Sequence, residues 1–155
     1  MSLLIRPMLV EESSLCASIV CASAIAVRYD FKKEKISSEL RSALASDDRV
    51  IVAEIEKRVA GFAWIAPRGA FCSAPYLRLI AVDEKIRGAG IGSALLDEFE
   101  KCTSDIAKDF FLLVSDFNEQ AISFYQKHGY QKTGELPDFA RSGITENLMF
   151  KRRRR

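Results

Sequence analysis

Seven consecutive residues constrain this chain more than any others: Arg87-Gly88-Ala89-Gly90-Ile91-Gly92-Ser93. They follow an apolar run, Pro75 to Val82, that reads as a strand. They open into the segment Gly90 to Ala107, which sets Ile91, Leu95, Phe99, Cys102 and Ile106 on one helical stripe. Three glycines without Cβ atoms let the backbone turn sharply and approach a ligand closely. The first N–H groups of a helix have no partner inside it, and with the positive end of the helix dipole they make an anion site. Arg87 adds charge-assisted hydrogen bonds suited to phosphate. The passage from strand through glycine loop to helix calls for an α/β domain with a phosphate held at the helix start.

Two common nucleotide motifs fit poorly. A P-loop needs GxxxxGK followed by Ser or Thr, and no such lysine is present. A dinucleotide fingerprint needs GxGxxG, whereas Gly88, Gly90 and Gly92 place the third glycine one position early and far from the N-terminus.

The remaining elements follow from hydrophobic periodicity. Leu3 to Pro7 is a short apolar run ended by proline. Glu11 to Tyr29 reads as one helix and Lys35 to Ser46 as a second. Arg49 to Glu56 and Val59 to Ala66 form strands around the turn Glu56-Lys57-Arg58. Phe110 to Val114 is wholly apolar, hence a buried strand. Asn118 to His128 is helical and stopped by Gly129, and Tyr130 to Gly134 and Ile144 to Lys151 close the chain. The expectation is a mixed α/β fold, a single mostly antiparallel sheet of about seven strands with helices on both faces. Residues 1–151 form one domain on this reading and 152–155 a basic tail.

Asn118 and Tyr125 lie two helical turns apart and share a face, with the small Ala121 between them. That spacing leaves a shallow groove along which an extended ligand could lie. Asn118 equally suits the helix N-cap, and Tyr125 equally suits a core aromatic.

The glycine motif between strand and helix resembles that of the GNAT superfamily of N-acetyltransferases. The resemblance extends to Leu79-Ile80-Ala81-Val82, similar to that family's central strand, and to Asn118-x-x-Ala121-x-x-Phe124-Tyr125-x-x-x-Gly129-Tyr130, similar to its second cofactor-contacting helix. It implies that Arg87, Gly88, Ala89, Gly90, Ile91, Gly92 and Ser93 hold the pyrophosphate of acetyl-CoA. Ile80, Ala81 and Val82 would then flank its thioester arm, with Asn118, Ala121 and Tyr125 along the second helix. It further implies direct acyl transfer to an amine. An amine of lysine type has a pKa of about 10.4 and must lose a proton. The oxyanion needs a donor, for which the Val82 N–H is the candidate, and the leaving thiolate needs an acid, for which Tyr125 is the candidate.

The chain departs from the family at the base. The usual glutamate of the central strand is replaced by Arg78, which cannot act as one at neutral pH. Glu54 on a neighbouring strand is a substitute, or Arg78 binds a carboxylate on the acceptor. A non-catalytic acetyl-CoA sensor is the alternative reading. Tyr29-Asp30-Phe31 falls where the family places an acceptor loop, though it could simply pack two helices. Residues Pro137 to Arg141 offer a second wall.

Composition narrows the partners. Without the five cations Lys151 to Arg155, the chain carries 18 basic and 21 acidic residues, so no basic face for nucleic acid is expected beyond the tail. Cys16, Cys21, Cys72 and Cys102 have no CxxC spacing and one histidine for company, which argues against a metal site and for reduced thiols in a cytoplasmic protein. With only His128 available to activate it, Cys72 reads as a loop thiol. The apolar stretch Leu15 to Val27 is too short to span a bilayer, so no membrane segment is expected. The closing strands could pair across a homodimer.

Overall fold

A computed structural model describes residues 2–86 and 88–153. Seven strands form one sheet: β1 (Leu3–Pro7), β2 (Arg49–Ile55), β3 (Arg58–Ala70), β4 (Ala74–Val82), β5 (Asp109–Ser115), β6 (Gln131–Pro137) and β7 (Thr145–Arg152). Their spatial order is β1-β2-β3-β4-β5-β7-β6, antiparallel everywhere except between β4 and β5. Helices α1 (Ser13–Cys21), α2 (Ala24–Tyr29) and α3 (Lys33–Leu44) accompany the first half, and α4 (Ile91–Cys102) and α5 (Glu119–Lys127) the second. The expected mixed sheet with helices on both faces is what the chain forms.

Two cores result. On one face Cys16, Val20, Ile36 and Leu40 pack against Val50, Val52 and Phe62. On the other, Ile91, Leu95 and Phe99 of α4 meet Ile65, Leu77, Phe110 and Leu112. Of the apolar run Phe110 to Val114, expected to be a wholly buried strand, Phe110, Leu112 and Val114 are buried in the α4 core, whereas Phe111 and Leu113 face the other way and are half-buried.

Local chemistry explains where the elements differ from the periodicity. The helix expected over 11–29 is two helices. The Ser23 hydroxyl donates to the Val20 carbonyl at 2.6 Å, and Ser23 itself is extended, so α1 ends and α2 restarts. The helix expected to reach Ala107 stops at Cys102, because buried Thr103 leaves helical geometry and turns its hydroxyl back on Phe99 O at 2.6 Å. Ile106 therefore lies beyond the helical stripe. Glu56 and Lys57 both take positive φ, the twist a tight hairpin between β2 and β3 requires. Arg152, expected in a tail, is the last residue of β7 and donates to Asp109 at 2.8 and 3.2 Å. Among the described residues no helix is long and apolar enough to cross a membrane.

Candidate active site

The sheet opens at its middle. β4 and β5 pair only at Tyr76–Phe111 and Leu77–Leu112, after which the strands separate. The next residue, Arg78, is a bulge: Leu77 pairs with Ile65 and Leu79 with Trp64, so Arg78 has no counterpart on β3. Bulges bend a strand and raise its twist, which here swings the end of β4 away from β5.

Hydrogen-bond alternation then decides which backbone groups face the opening. Asp83 N donates to Ala60 O at 2.8 Å, so in this antiparallel ladder residues 83, 81 and 79 point their N–H and C=O towards β3. Ile80 and Val82 point theirs the other way, into the split that β5 has left.

Just past the split, Gly88 and Gly90 adopt positive φ, 88° and 72°, and a Cβ built on either would meet nothing within 4 Å. Gly90 caps α4 without a side chain, and the first bond inside the helix runs from Ala94 N to Gly90 O at 3.0 Å. The N–H groups of Ile91, Gly92 and Ser93 precede that bond. The first turn carries no acidic residue to answer the helix dipole. Gly92 has a different task. A Cβ there would stand 3.3 Å from Phe124 Cζ, so its absence lets α4 and α5 close together. Ser93 is held by His128, 3.0 Å from its hydroxyl.

A protein-family model described as an acetyltransferase (GNAT) domain matches residues 46–132, the stretch from the start of β2 through the split, the glycine loop and α5. The chain belongs to the GNAT family. Its members are acyl-CoA-dependent acetyltransferases, and the chain is one by family. It is 29% identical over 143 residues to the peptidyl-lysine N-acetyltransferase YjaB of Escherichia coli, covering 90% of this chain and 91% of that one. It is 34% identical over 76 residues to the blasticidin-S acetyltransferase of Streptomyces morookaense, 49% of this chain and 55% of the other. Among solved structures, Ard1 from Thermoplasma volcanium superposes with a TM-score of 0.81 at 22% identity over the full length of both chains. That likeness speaks for the fold alone.

Within the GNAT frame, the residues singled out in the sequence fall as follows. Ile80 and Val82 pack their side chains with the α4 core, whereas Ala81 packs with the α1–α3 core. Gly88, Ala89, Gly90, Ile91, Gly92 and Ser93 lie together at the start of α4. Arg87 lies outside the described residues. Asn118 is the N-cap of α5, its Oδ1 accepting from Ala121 N at 3.3 Å. Tyr125 is buried beneath α5, with its ring edge-on to Phe124 and Tyr130 at 5.3 and 5.9 Å. Its hydroxyl bonds none of the described residues. Burial, and secondarily the nearby Tyr76, push that hydroxyl well above the ordinary tyrosine range.

Glu54 is not near the split. It accepts from Arg6 at 3.2 Å beside Glu12, two strands away from β4. Cys72 is an exposed free thiol. Arg78 lies over the face of Trp64, its guanidinium carbon 4.7 Å from the ring centroid. The two line a cavity of about 180 Å³ with Phe31, Glu39, Tyr76 and Leu79, on the α1–α3 face.

Periodicity missed the other half of this face. Tyr29, at the end of α2, donates its hydroxyl to the carboxylate of Glu146 on β7. Glu146 is only 5% exposed and sits opposite Ser115 in the β5–β7 ladder. Arg141 Nε donates to Tyr29 O at 2.9 Å, tying the loop after β6 to the same corner. Tyr29 stacks on Phe31 with centroids 5.3 Å apart and also meets Phe117 at 6.3 Å. The aromatic connector thus ties α2 to β7 and to Phe117 through Tyr29, while Phe31 packs on the α1–α3 core and walls the cavity.

Proposed function

We propose that this protein transfers an acetyl group from acetyl-CoA to a primary amine, on a small molecule or at a peptide or protein N-terminus, by direct attack of the amine on the thioester. The observation that carries the reading is the split between β4 and β5 with the Ile80 and Val82 backbone facing it, beside a capless, glycine-led helix start. Two relatives support the reading: one is a peptidyl-lysine N-acetyltransferase and the other a blasticidin-S acetyltransferase.

The chemistry assigns a role to each group. The N–H donors at the start of α4 bind the pyrophosphate, and the open space before Gly88 and Gly90 admits it. Arg87 adds a cation. Asn118 and Ala121 border the pantetheine arm. The Val82 N–H, free of the β3–β4 ladder but held in place by the ladder bonds of its neighbours Ala81 and Asp83, stabilises the carbonyl oxygen as it becomes an oxyanion and needs no reorganisation to do so. Tyr125 keeps its proton at neutral pH because burial disfavours the phenolate, so it is a neutral phenol with a proton to give to the leaving thiolate. The acceptor enters from the α1–α3 face, past Tyr76 and Trp64. There Arg78 is placed to bind an anionic group carried by the acceptor.

The test is thiol release from acetyl-CoA with a panel of primary amines: free amino acids, polyamines, and peptides with a free N-terminus or a lysine. Release above the no-acceptor rate with at least one amine is expected. Calorimetric binding of acetyl-CoA with no release for any amine would instead indicate a sensor module.

A further inference from the structure

The family's usual base position holds Arg78, and Glu54 is committed to Arg6 at the far side of the sheet. Another carboxylate lies on the acceptor face. Glu146 is buried on β7 next to the strand that borders the split, and one of its oxygens, Oε2, accepts the Tyr29 hydroxyl. Its other oxygen, Oε1, accepts no hydrogen bond from the described residues. Asn147 Oδ1 is the side-chain acceptor that is both enclosed and unpartnered there, so Glu146 Oε1 is not enclosed. A carboxylate with one oxygen anchored and the other without a partner among the described residues keeps acceptor capacity for a donor that reaches it.

Its neighbours connect it to the rest of the site. Burial raises the Tyr76 hydroxyl above the ordinary tyrosine range, with Arg78 opposing the shift and the Glu146 charge adding to it. Tyr76, on the acceptor face, is in turn within electrostatic range of Tyr125 beneath the opposite face. The titratable groups that interact with Glu146 are Tyr29 on α2 and Tyr76 on β4; beyond them, Asp116 after β5 and Arg141 in the loop after β6 act on Tyr29, and Arg78 on Tyr76. Burying a carboxylate is costly unless hydrogen bonds or a cation compensate it. Tyr29 supplies one hydrogen bond, and no cationic side chain is paired with Glu146 among the described residues.

We propose that Glu146 receives the acceptor's proton: its open oxygen holds the incoming ammonium and takes one N–H proton as the amine attacks. The proposal rests on the acetyltransfer reading above. In the step, an N–H bond breaks and its electron pair forms the new C–N bond to the thioester carbon. The carbonyl π pair moves to oxygen. When it returns, the C–S bond breaks, and sulfur keeps that pair and takes the Tyr125 proton. The second surplus N–H proton restores Tyr125, and Glu146 passes its own proton to solvent. One ammonium and one thioester thus give one amide, one thiol and one proton.

The experiment measures kcat/KM from pH 7 to pH 10 for the wild type, Glu146→Gln, Glu146→Asp and Tyr29→Phe, using the amine of the panel that releases thiol fastest, with acetyl-CoA affinity measured beside it. Glu146→Gln should bind acetyl-CoA normally and lose roughly 10²–10⁴-fold at pH 7, the usual contribution of a positioned base. The deficit should narrow steadily towards pH 10, where a lysine-like amine of pKa about 10.4 begins to arrive deprotonated. Glu146→Asp, which keeps a carboxylate, should recover part of the rate, and Tyr29→Phe should lose less than Glu146→Gln. A Glu146→Gln rate within threefold of wild type at pH 7, a deficit equal at every pH, or lost acetyl-CoA binding would overturn the assignment while leaving acetyltransfer intact. A wild type that acetylates no amine in the panel would remove both.

Discussion

Tyr125→Phe separates chemistry from packing more cleanly than any other substitution in this protein. The ring is buried against Phe124 and Tyr130, and phenylalanine preserves those contacts. The deleted hydroxyl bonds none of the described residues, so no hydrogen bond is lost in the fold. A typical intramolecular hydrogen bond contributes about 1 kcal/mol, so the change in stability should stay within about that amount. In a chain of this size 1 kcal/mol corresponds to roughly 2–4 °C in Tm. If the hydroxyl protonates the leaving thiolate, by contrast, kcat should fall roughly 10²–10⁴-fold, because that help exists mainly in the transition state. The assay is kcat at saturating acetyl-CoA and amine, with a thermal melt and a direct acetyl-CoA titration on the same samples. The expected pattern is a large loss of kcat with Tm and cofactor affinity unchanged. The pH profile adds a check. Since burial raises the Tyr125 pKa above the ordinary value of about 10, the wild type should show no alkaline loss of kcat from this group below about pH 10. A kcat within threefold of wild type would refute the acid role and leave Tyr125 as a wall of the groove.

Gly90→Val should weaken acetyl-CoA binding by at least tenfold in a calorimetric titration, because its side chain enters the open space before α4, while positive φ adds a strain of roughly 1–2 kcal/mol. Gly92→Val should instead cost about 1–3 kcal/mol of stability in a denaturant melt, since its Cβ alone already crowds Phe124 at 3.3 Å. Glu12→Gln should flatten the acid side of the stability curve: the Arg6 guanidinium holds the Glu12 carboxyl below its usual range, so the stabilisation is present above the unfolded pKa and is lost as pH falls. Tm against pH from 3 to 6 reads this, and parallel curves for variant and wild type would contradict it.

The parts of the site that a reader of the sequence could find are those built from neighbours in the chain. The glycine loop, the apolar β5 run and the Asn118–Tyr125 spacing each announce a local geometry, and each lies in the expected element. Glu146 does not announce itself. In Thr145-Glu146-Asn147-Leu148 it reads as an ordinary polar residue of a closing strand. Its burial is made by Tyr29, 117 residues earlier, at the end of a short helix that exists only because Ser23 interrupts a longer one. The Arg78 bulge is hidden for the same reason: a register slip is a property of two strands, and a single strand's periodicity carries no trace of it. Glu54 misled because an acidic residue on a strand beside the centre says nothing of the arginine that faces it from β1.

The split also sets how the amide protons of this protein exchange with solvent. In a closed sheet the central strand is the slowest to exchange, because its N–H groups are paired on both sides. Here β4 is central by position, yet the Ile80 and Val82 N–H groups face a gap where β5 is absent. Ala81, bonded to β3, lies between them. In deuterated water the strand should show a staggered record, with residues 79 and 81 slow and residues 80 and 82 fast, in the middle of an otherwise protected core. A ligand that enters the gap and accepts from those two groups would erase the stagger, so exchange at two amides reports occupancy of the split independently of turnover.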